Sequence, residues 1–208
     1  MLVNLSVEEF SQVLGSNSPA PGGGSVAALS GSLGADLISM VCNLSIGKED
    51  YESFRNELTA ALEKSQALSK SLLKRVDLDT EAFNGVMAAF KMAKQTESEK
   101  ELRKEAIQTG FKEAVQSPAG IARECFEVLQ LAEKLIGKSN SNALSDLGVA
   151  SQQAYAGLEG GIMNVKINVP SIKDEEFVAQ YASEISALLE DGRRIKNNIS
   201  QFISKEIG

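Results

Sequence analysis

A long segment almost without charge constrains this chain more than any other feature of its sequence. Between Pro19 and Gly47 the only charged residue is Asp36, although 24% of the whole chain is charged. Such a segment either crosses a membrane or forms a helix that the rest of the protein covers. Its serines, Asn43 and central charge are costly in a bilayer, and its flanks lack aromatic anchors or a basic cluster. We therefore predict a buried core helix.

The predicted helix over residues 24–45 carries three rows of side chains at helical spacing. The first row is apolar, the second consists of small residues that let a neighbouring helix come close, and the third is polar with a single charge. A solvent-facing row would carry Lys and Glu, so the third row indicates buried hydrogen bonds or the wall of a cavity. The rows are Val26, Leu29, Leu33, Leu37, Met40 and Leu44; Ala27, Gly31, Ala35 and Ser39; and Ser25, Ser32, Asp36, Ser39 and Asn43.

Helical periodicity continues through most of the chain, and strand candidates are few. A second helix poor in charge, over residues 144–166, also contains several glycines, which favours close backbone contact. We predict an all-α, multihelical bundle of one domain, residues 1–208, with these two helices at its centre. The other helices are expected over residues 5–14, 50–92, 98–116, 118–136 and 174–205, with Ser6 and Glu9 as a capping box and Ser117-Pro118 as a helix start or kink.

The composition excludes several classes of function. The chain has no histidine, which removes Ser–His and Cys–His nucleophiles and imidazole zinc sites. Its net charge of −7 argues against a nucleic-acid partner. Cys42 and Cys125 lie in apolar stretches without metal-ligand spacing and indicate a reducing compartment. Residues 1–18 contain Glu8 and Glu9 but no Lys or Arg, unlike a secretory signal, so we expect a cytoplasmic protein without a metal site.

A glycine loop, Pro21-Gly-Gly-Gly-Ser25, precedes the first central helix. Backbone N–H groups at a helix start can hold a carboxylate or the polar edge of a ring. The alternative is a plain helix-entry loop. Gly22-x-Gly24-x-x-Ala27 formally fits a dinucleotide fingerprint, but no strand is predicted before it, and we discard that interpretation.

Three aspartates are candidates for chemistry. Asp79 falls on the inward row of its predicted helix, between Val76 and Phe83, where a carboxylate is costly unless it is paired or functional. It either works in a site or caps a neighbouring helix as a structural acceptor. Asp36 and Asp146 could converge with it on one pocket, although spacing alone does not establish this.

Several motifs together resemble the cyclodeaminase/cyclohydrolase family of folate enzymes. They are Ser18-Pro-Ala-Pro-Gly-Gly-Gly-Ser-Val-Ala-Ala28, Asn43-Leu-Ser-Ile-Gly-Lys48, Val76-Asp-Leu-Asp-Thr-Glu-Ala-Phe83, Ser145-Asp-Leu-Gly-Val-Ala150 and Asn164-Val-Lys-Ile-Asn168. The second motif also has a plain interpretation, a C-cap glycine followed by a lysine that complements the helix dipole. The resemblance covers nearly the whole chain.

The resemblance implies an all-helical homodimer that acts on tetrahydrofolate one-carbon units without a metal or redox cofactor. The net charge and the polar residues of the uncharged segment separately argue against a nucleic-acid or membrane partner. Of the family's two reactions, we slightly favour closure of 5-formimidoyltetrahydrofolate to 5,10-methenyltetrahydrofolate with release of ammonia. The alternative is hydrolysis of the methenyl bridge to 10-formyltetrahydrofolate. A more distant alternative is a catalytically silent dimer kept for folate binding or scaffolding.

The resemblance also implies roles for single residues. We expect Asp79 to stabilise the methenyl cation and move a proton, with Asp36 and Asp146 as alternatives or pterin-binding groups. Lys48 is expected to bind the glutamate carboxylate of folate or to polarise the transferring group. The expected substrate-binding residues are Pro21, Gly22, Gly23, Gly24, Ser25, Asn43, Asn164 and Asn168.

Overall fold

The computed structural model describes residues 1–208 and consists of six α-helices and four short 3₁₀ segments, with no β-strand. The predicted all-α fold is therefore confirmed. The helices are α1 (Val7–Leu14), α2 (Gly23–Asn43), α3 (Arg55–Lys91), α4 (Glu97–Lys134), α5 (Leu144–Asn168) and α6 (Glu175–Ile207). The 3₁₀ segments are Leu2–Asn4, Glu49–Phe54, Ser141–Ala143 and Val169–Ser171.

Local capping signals set two of the helix starts. The Ser6 side chain accepts a hydrogen bond from the Glu9 N–H, and the Glu9 carboxylate accepts one from the Ser6 N–H, which is the predicted capping box. Thr96 and Glu99 form a second box at the start of α4. The predicted boundary at Pro118 is different in the structure, because α4 continues through this proline as one helix of 38 residues.

Helix α2 lies at the centre, packed against α3 and α5 and in contact with α4. It runs antiparallel to α5: Gly34 lies beside Ala150 and Ala154, while Gly157 lies beside Ala27. A Cβ atom on Gly34 would stand 2.9 Å from the Ala150 carbonyl oxygen, so only glycine allows this backbone approach. The small residues thus bring the two helices together, as their spacing predicts.

Part of the apolar row of α2 lies on the surface, whereas Leu29 and Leu37 of the same row pack against the core. Leu33 is 48% exposed and Leu44 is 44% exposed, whereas Ala28, Ala35 and the other small residues of the helix are buried. Close helix packing requires small side chains at the contact with α5; Ile38 and Val41 are also buried, and Leu33, Met40 and Leu44 are left on the surface. The expectation that α2 is covered on all sides is therefore wrong for one face.

The polar row of α2 forms buried hydrogen bonds to α3 along part of its length, as predicted. Asp36 and Asn43, in contrast, are exposed. Although α2 has the length and hydropathy of a membrane-spanning helix, these bonds and the α5 contact make it a core helix. The bonds join Ser25 to the Val76 carbonyl (2.8 Å), Ser32 to Ser69 (3.1 Å) and Ser39 to Ser65 (2.8 Å).

Candidate active site

A cavity of about 380 Å³ lies where the start of α2 meets α3, α4 and the last turns of α5. Its volume falls in the range of small-molecule sites. It has a polar end, formed by the glycine loop with Asp79 and two asparagines, and an apolar wall. The lining residues are Pro19, Ala20, Gly22, Gly23, Gly24, Asp79, Thr80, Ala82, Phe83, Val86, Phe90, Phe111, Ala114, Asn164 and Asn168.

The start of α2 rests directly on the Asp79 carboxylate. A Cβ atom on Gly24 would overlap this carboxylate, so the absence of a side chain at Gly24 is what admits it. The N-cap residue of α2, Gly22, has no side chain to accept a hydrogen bond from the first turn. Asp79 supplies that acceptor from α3 and bonds to the Ser25 N–H.

Asp79 is half-buried and is the only charged side chain that lines the cavity. Burial raises the pKa of its carboxyl group above the ordinary aspartate value, and the hydrogen bond from the Ser25 N–H opposes this rise. Asp79 therefore lies beside the start of a neighbouring helix and also faces the cavity, so its position is compatible with both interpretations made from the sequence. A carboxyl group with a raised pKa is suited to proton transfer near neutral pH.

Asn164 and Asn168 lie one turn apart on α5, and bonds within the protein occupy one side-chain N–H of Asn164 and both of Asn168. Asn164 Nδ2 donates to the Gly160 carbonyl (2.9 Å). Asn168 Nδ2 donates to the carbonyls of Asn164 (2.8 Å) and Ala114 (3.1 Å). These bonds leave the two Oδ1 atoms as the acceptors that a ligand in the cavity can meet.

The Ala114 carbonyl is available to Asn168 because of Pro118. In a regular helix that carbonyl would accept the N–H four residues later, and proline has none. The proline in α4 therefore positions an asparagine on α5. The sequence analysis noted both residues without connecting them.

Aromatic rings form the apolar wall of the cavity. Phe83 and Phe90 extend along α3 from Asp79, and the Phe111 ring of α4 meets the Phe90 ring edge-on, with 6.0 Å between centroids. The inward row predicted for α3 already contained Phe83. Phe111, Ala114 and Thr80 were missed as site residues, because nothing in a helical repeat distinguishes a cavity wall from a core.

Several predicted site residues lie outside this cavity. Asp36, Asn43 and Lys48 are exposed, and Asp146 is half-buried at the start of α5. The suggested convergence of Asp36 and Asp146 with Asp79 does not occur within one subunit. The antiparallel arrangement explains this: the start of α5 lies beside the far end of α2, and Asp36 stands about 20 Å along α2 from Gly23.

Two further predicted residues support the glycine loop without lining the cavity. Pro21 is buried and follows a cis peptide bond after Ala20. The Ser25 hydroxyl is buried and donates to the Val76 carbonyl, so only its backbone N–H faces Asp79. Of the predicted residues, the structure therefore brings together Asp79, Gly22, Gly23, Gly24, Asn164 and Asn168.

The chain is similar to known proteins over most of its length. The sequence model of the family described as Formiminotransferase-cyclodeaminase matches residues 6–187. A methenyltetrahydrofolate cyclohydrolase of Methylorubrum extorquens is 39% identical over 207 residues, which cover 100% of both chains. The formimidoyltransferase-cyclodeaminase of Rattus norvegicus is 33% identical over 92% of this chain, which spans only 36% of that larger protein.

A solved structure has the same fold. The crystal structure of the formiminotetrahydrofolate cyclodeaminase of Thermotoga maritima superposes with a TM-score of 0.83 at 29% sequence identity. The match covers 99% of this chain and 97% of the other. The similarity therefore extends over the whole helical bundle, including the helices that form the cavity.

Proposed function

The chain belongs to the formiminotransferase-cyclodeaminase family and is an enzyme of tetrahydrofolate one-carbon chemistry, and we propose that it hydrolyses 5,10-methenyltetrahydrofolate to 10-formyltetrahydrofolate. This family membership confirms the expectation of a folate enzyme. Hydrolysis takes precedence here over the cyclodeaminase activity favoured in the sequence analysis. The reason is that a cyclohydrolase matches over its full length at 39% identity, whereas the solved cyclodeaminase matches over 97% of its length at 29%.

The observation that carries this proposal is the position of Asp79. It is the single charged group in the cavity, and its carboxyl group has a pKa raised by burial. The substrate is a cation whose charge is shared between N5, the bridge carbon and N10. An ionised carboxylate beside that carbon stabilises the cation and can accept a proton from attacking water.

The proposed reaction balances with Asp79 as the proton carrier. Water adds to the bridge carbon and gives one proton to Asp79, forming a neutral tetrahedral carbon between N5 and N10. Asp79 then delivers this proton to N5 as the N5–carbon bond breaks. The hydroxyl proton leaves to solvent as the formyl C=O forms on N10, so one proton is released for each turnover.

Cyclodeamination is the second candidate, and the Thermotoga maritima structure favours it. N10 would attack the formimidoyl carbon, and the leaving nitrogen would take up protons and depart as ammonia. This direction requires Asp79 in its protonated form as the donor. The raised pKa of Asp79 supports that role as well, since it extends the protonated form to higher pH.

The polar end of the cavity suits the pterin ring. Gly22, Gly23 and Gly24 offer backbone N–H groups at the start of α2, and the Oδ1 atoms of Asn164 and Asn168 offer acceptors. A pterin edge carries both donors and acceptors and complements this set. The roles of Asp36, Asn43, Lys48 and Asp146 remain predictions from the resemblance.

The proposed reactions need proton transfer alone, so we propose an enzyme without a metal or redox cofactor. We further propose a cytoplasmic location and no nucleic-acid or membrane partner, in keeping with the net charge of −7 and two buried free thiols.

We also propose a homodimer formed through α2 and α5. Both helices leave apolar side chains exposed: Leu33 (48%) on α2, and Val149 (49%), Met163 (64%) and Ile167 (75%) on α5. A second copy is the expected cover for such a surface. Sedimentation of Leu33→Glu should show monomers, whereas Leu102→Glu, a change at an exposed leucine of α4 (56%), should leave the dimer intact. A dimeric Leu33→Glu variant would contradict this interface.

The methenyl chromophore tests the function directly. With 5,10-methenyltetrahydrofolate as substrate, absorbance that decays faster than in buffer indicates the hydrolase. With 5-formimidoyltetrahydrofolate, absorbance that grows together with ammonia indicates the cyclodeaminase. Bound folate without either change would support the silent alternative and overturn the enzymatic proposal.

A further inference from the structure

Arg103, a cation without a carboxylate partner, packs against Phe90, a residue of the cavity wall. Arg103, in the second turn of α4, donates from Nε (3.3 Å) and Nη2 (3.1 Å) to the Phe90 carbonyl, near the end of α3. Its guanidinium carbon lies 5.8 Å from the centroid of the Phe90 ring, which lines the cavity. Arg103 takes part in no ion pair.

The cavity has a direction along α3. Asp79 marks its polar end, Phe83 follows one turn later, and Phe90 lies about 16 Å from Asp79 at 1.5 Å per residue. A tetrahydrofolate has its parts in a similar order: a pterin ring, the one-carbon bridge, an aminobenzoyl ring and an anionic glutamate. With the bridge at Asp79, the aminobenzoyl ring meets the phenylalanine wall and the glutamate reaches the Phe90 end.

We propose that Arg103 binds the α- or γ-carboxylate of the substrate's glutamate. This inference rests on the proposed function and names the cation that recognises one end of the same substrate. The two bonds to the Phe90 carbonyl hold the guanidinium in place and leave Nη1 free for a carboxylate. The neighbouring cation Lys112 is already paired with Asp174 at 2.6 Å.

Arg103 replaces Lys48 in this role. Lys48 is exposed and follows the end of α2, about 30 Å along that helix from Gly23 at the cavity. An acidic protein with a net charge of −7 needs a local positive group to hold an anionic substrate. Arg103 provides it beside Phe90, the cavity residue of α3 that lies farthest from Asp79 along the helix.

The test compares two substrates that differ only in the glutamate: 5,10-methenyltetrahydrofolate and 5,10-methenyltetrahydropteroate. Arg103→Gln keeps a donor for the Phe90 carbonyl and removes the charge, and Arg103→Ala removes both. We expect each variant to raise KM about tenfold or more for the folate, with kcat within about twofold, and to leave the KM for the pteroate unchanged. Lys104→Ala, which alters an adjacent exposed lysine paired with Glu101, is the matched control.

The outcomes separate this inference from the proposed function. Equal losses on both substrates would overturn it and leave Arg103 as a structural cap of α3. A glutamate-dependent loss in Lys48→Ala, with none in the Arg103 variants, would also overturn it. Wild-type protein that turns over neither substrate would overturn the proposed function, and this inference with it.

Discussion

The carboxylate of Asp79 occupies the space in which a side chain on Gly24 would stand. The two residues are 55 positions apart in the chain, on α3 and α2, and the contact joins the glycine loop to the only charged group of the cavity. Helix α2 gains an acceptor at its start, and the carboxylate loses part of its solvent. One contact thus contributes both to the fold and to the chemistry of the site.

Asp79→Asn should remove turnover and preserve the fold. Asparagine retains an oxygen that can accept from the Ser25 N–H, but it can neither carry a proton nor oppose a cationic bridge. We expect kcat to fall by about 10²–10⁴-fold, the usual contribution of a general acid–base group. The measurement is the decay of methenyl absorbance, with circular dichroism as the check on folding. Activity close to that of the wild type would remove Asp79 from the mechanism.

The same variant should change how stability depends on pH. Because burial raises the pKa of Asp79, the folded state holds its proton more tightly than the unfolded state. Wild-type stability from this group is present at low pH and is lost as the pH rises through the folded-state pKa. Asp79→Asn should therefore gain stability relative to wild type as the pH rises from about 4, the ordinary aspartate pKa, towards the higher folded-state pKa. Denaturant unfolding at several pH values measures the difference, and a difference that falls with pH would contradict the raised pKa.

Gly24→Ala should damage both the fold and the site, because its Cβ overlaps the Asp79 carboxylate. We expect a loss of about 1–3 kcal/mol in the free energy of unfolding, together with a large loss of activity. Gly22→Ala is the control: its Cβ meets only the Pro19 carbonyl oxygen, at 3.9 Å, and its φ of −130° suits any residue. Similar unfolding free energies for the two variants would show that the contact between Asp79 and the start of α2 does not require a glycine at position 24.

Pro118→Ala should stabilise α4 and weaken substrate binding. The new N–H competes with Asn168 for the Ala114 carbonyl, so the asparagine is held less firmly. Weakening the hydrogen bond that holds Asn168 is expected to raise KM by about two- to tenfold. Ser117→Ala changes the adjacent buried hydroxyl, which has no partner, and should leave KM unchanged. A more stable Pro118→Ala enzyme with unchanged KM would contradict the positioning of Asn168 by this proline.

Much of the local structure follows from short-range patterns. The Ser6 capping box is set by neighbours within one turn, and helical spacing alone indicates the small-residue row of α2 and the inward position of Asp79. The motif resemblance identified the chemistry before any geometry was known. It also placed Gly22–Gly24, Asn164 and Asn168 in the site, where the structure brings them together.

The sequence by itself determined an all-α protein with α2 at its centre, a folate activity and a carboxylate at residue 79. The tertiary structure alone decided which face of α2 is buried, that Asp36 and Asp146 lie apart from Asp79, and that Pro118 positions Asn168. The physical reason is the range of the interactions. Helical periodicity records which residues share a face, but the packing of distant helices selects the face that is covered and the side chains that meet.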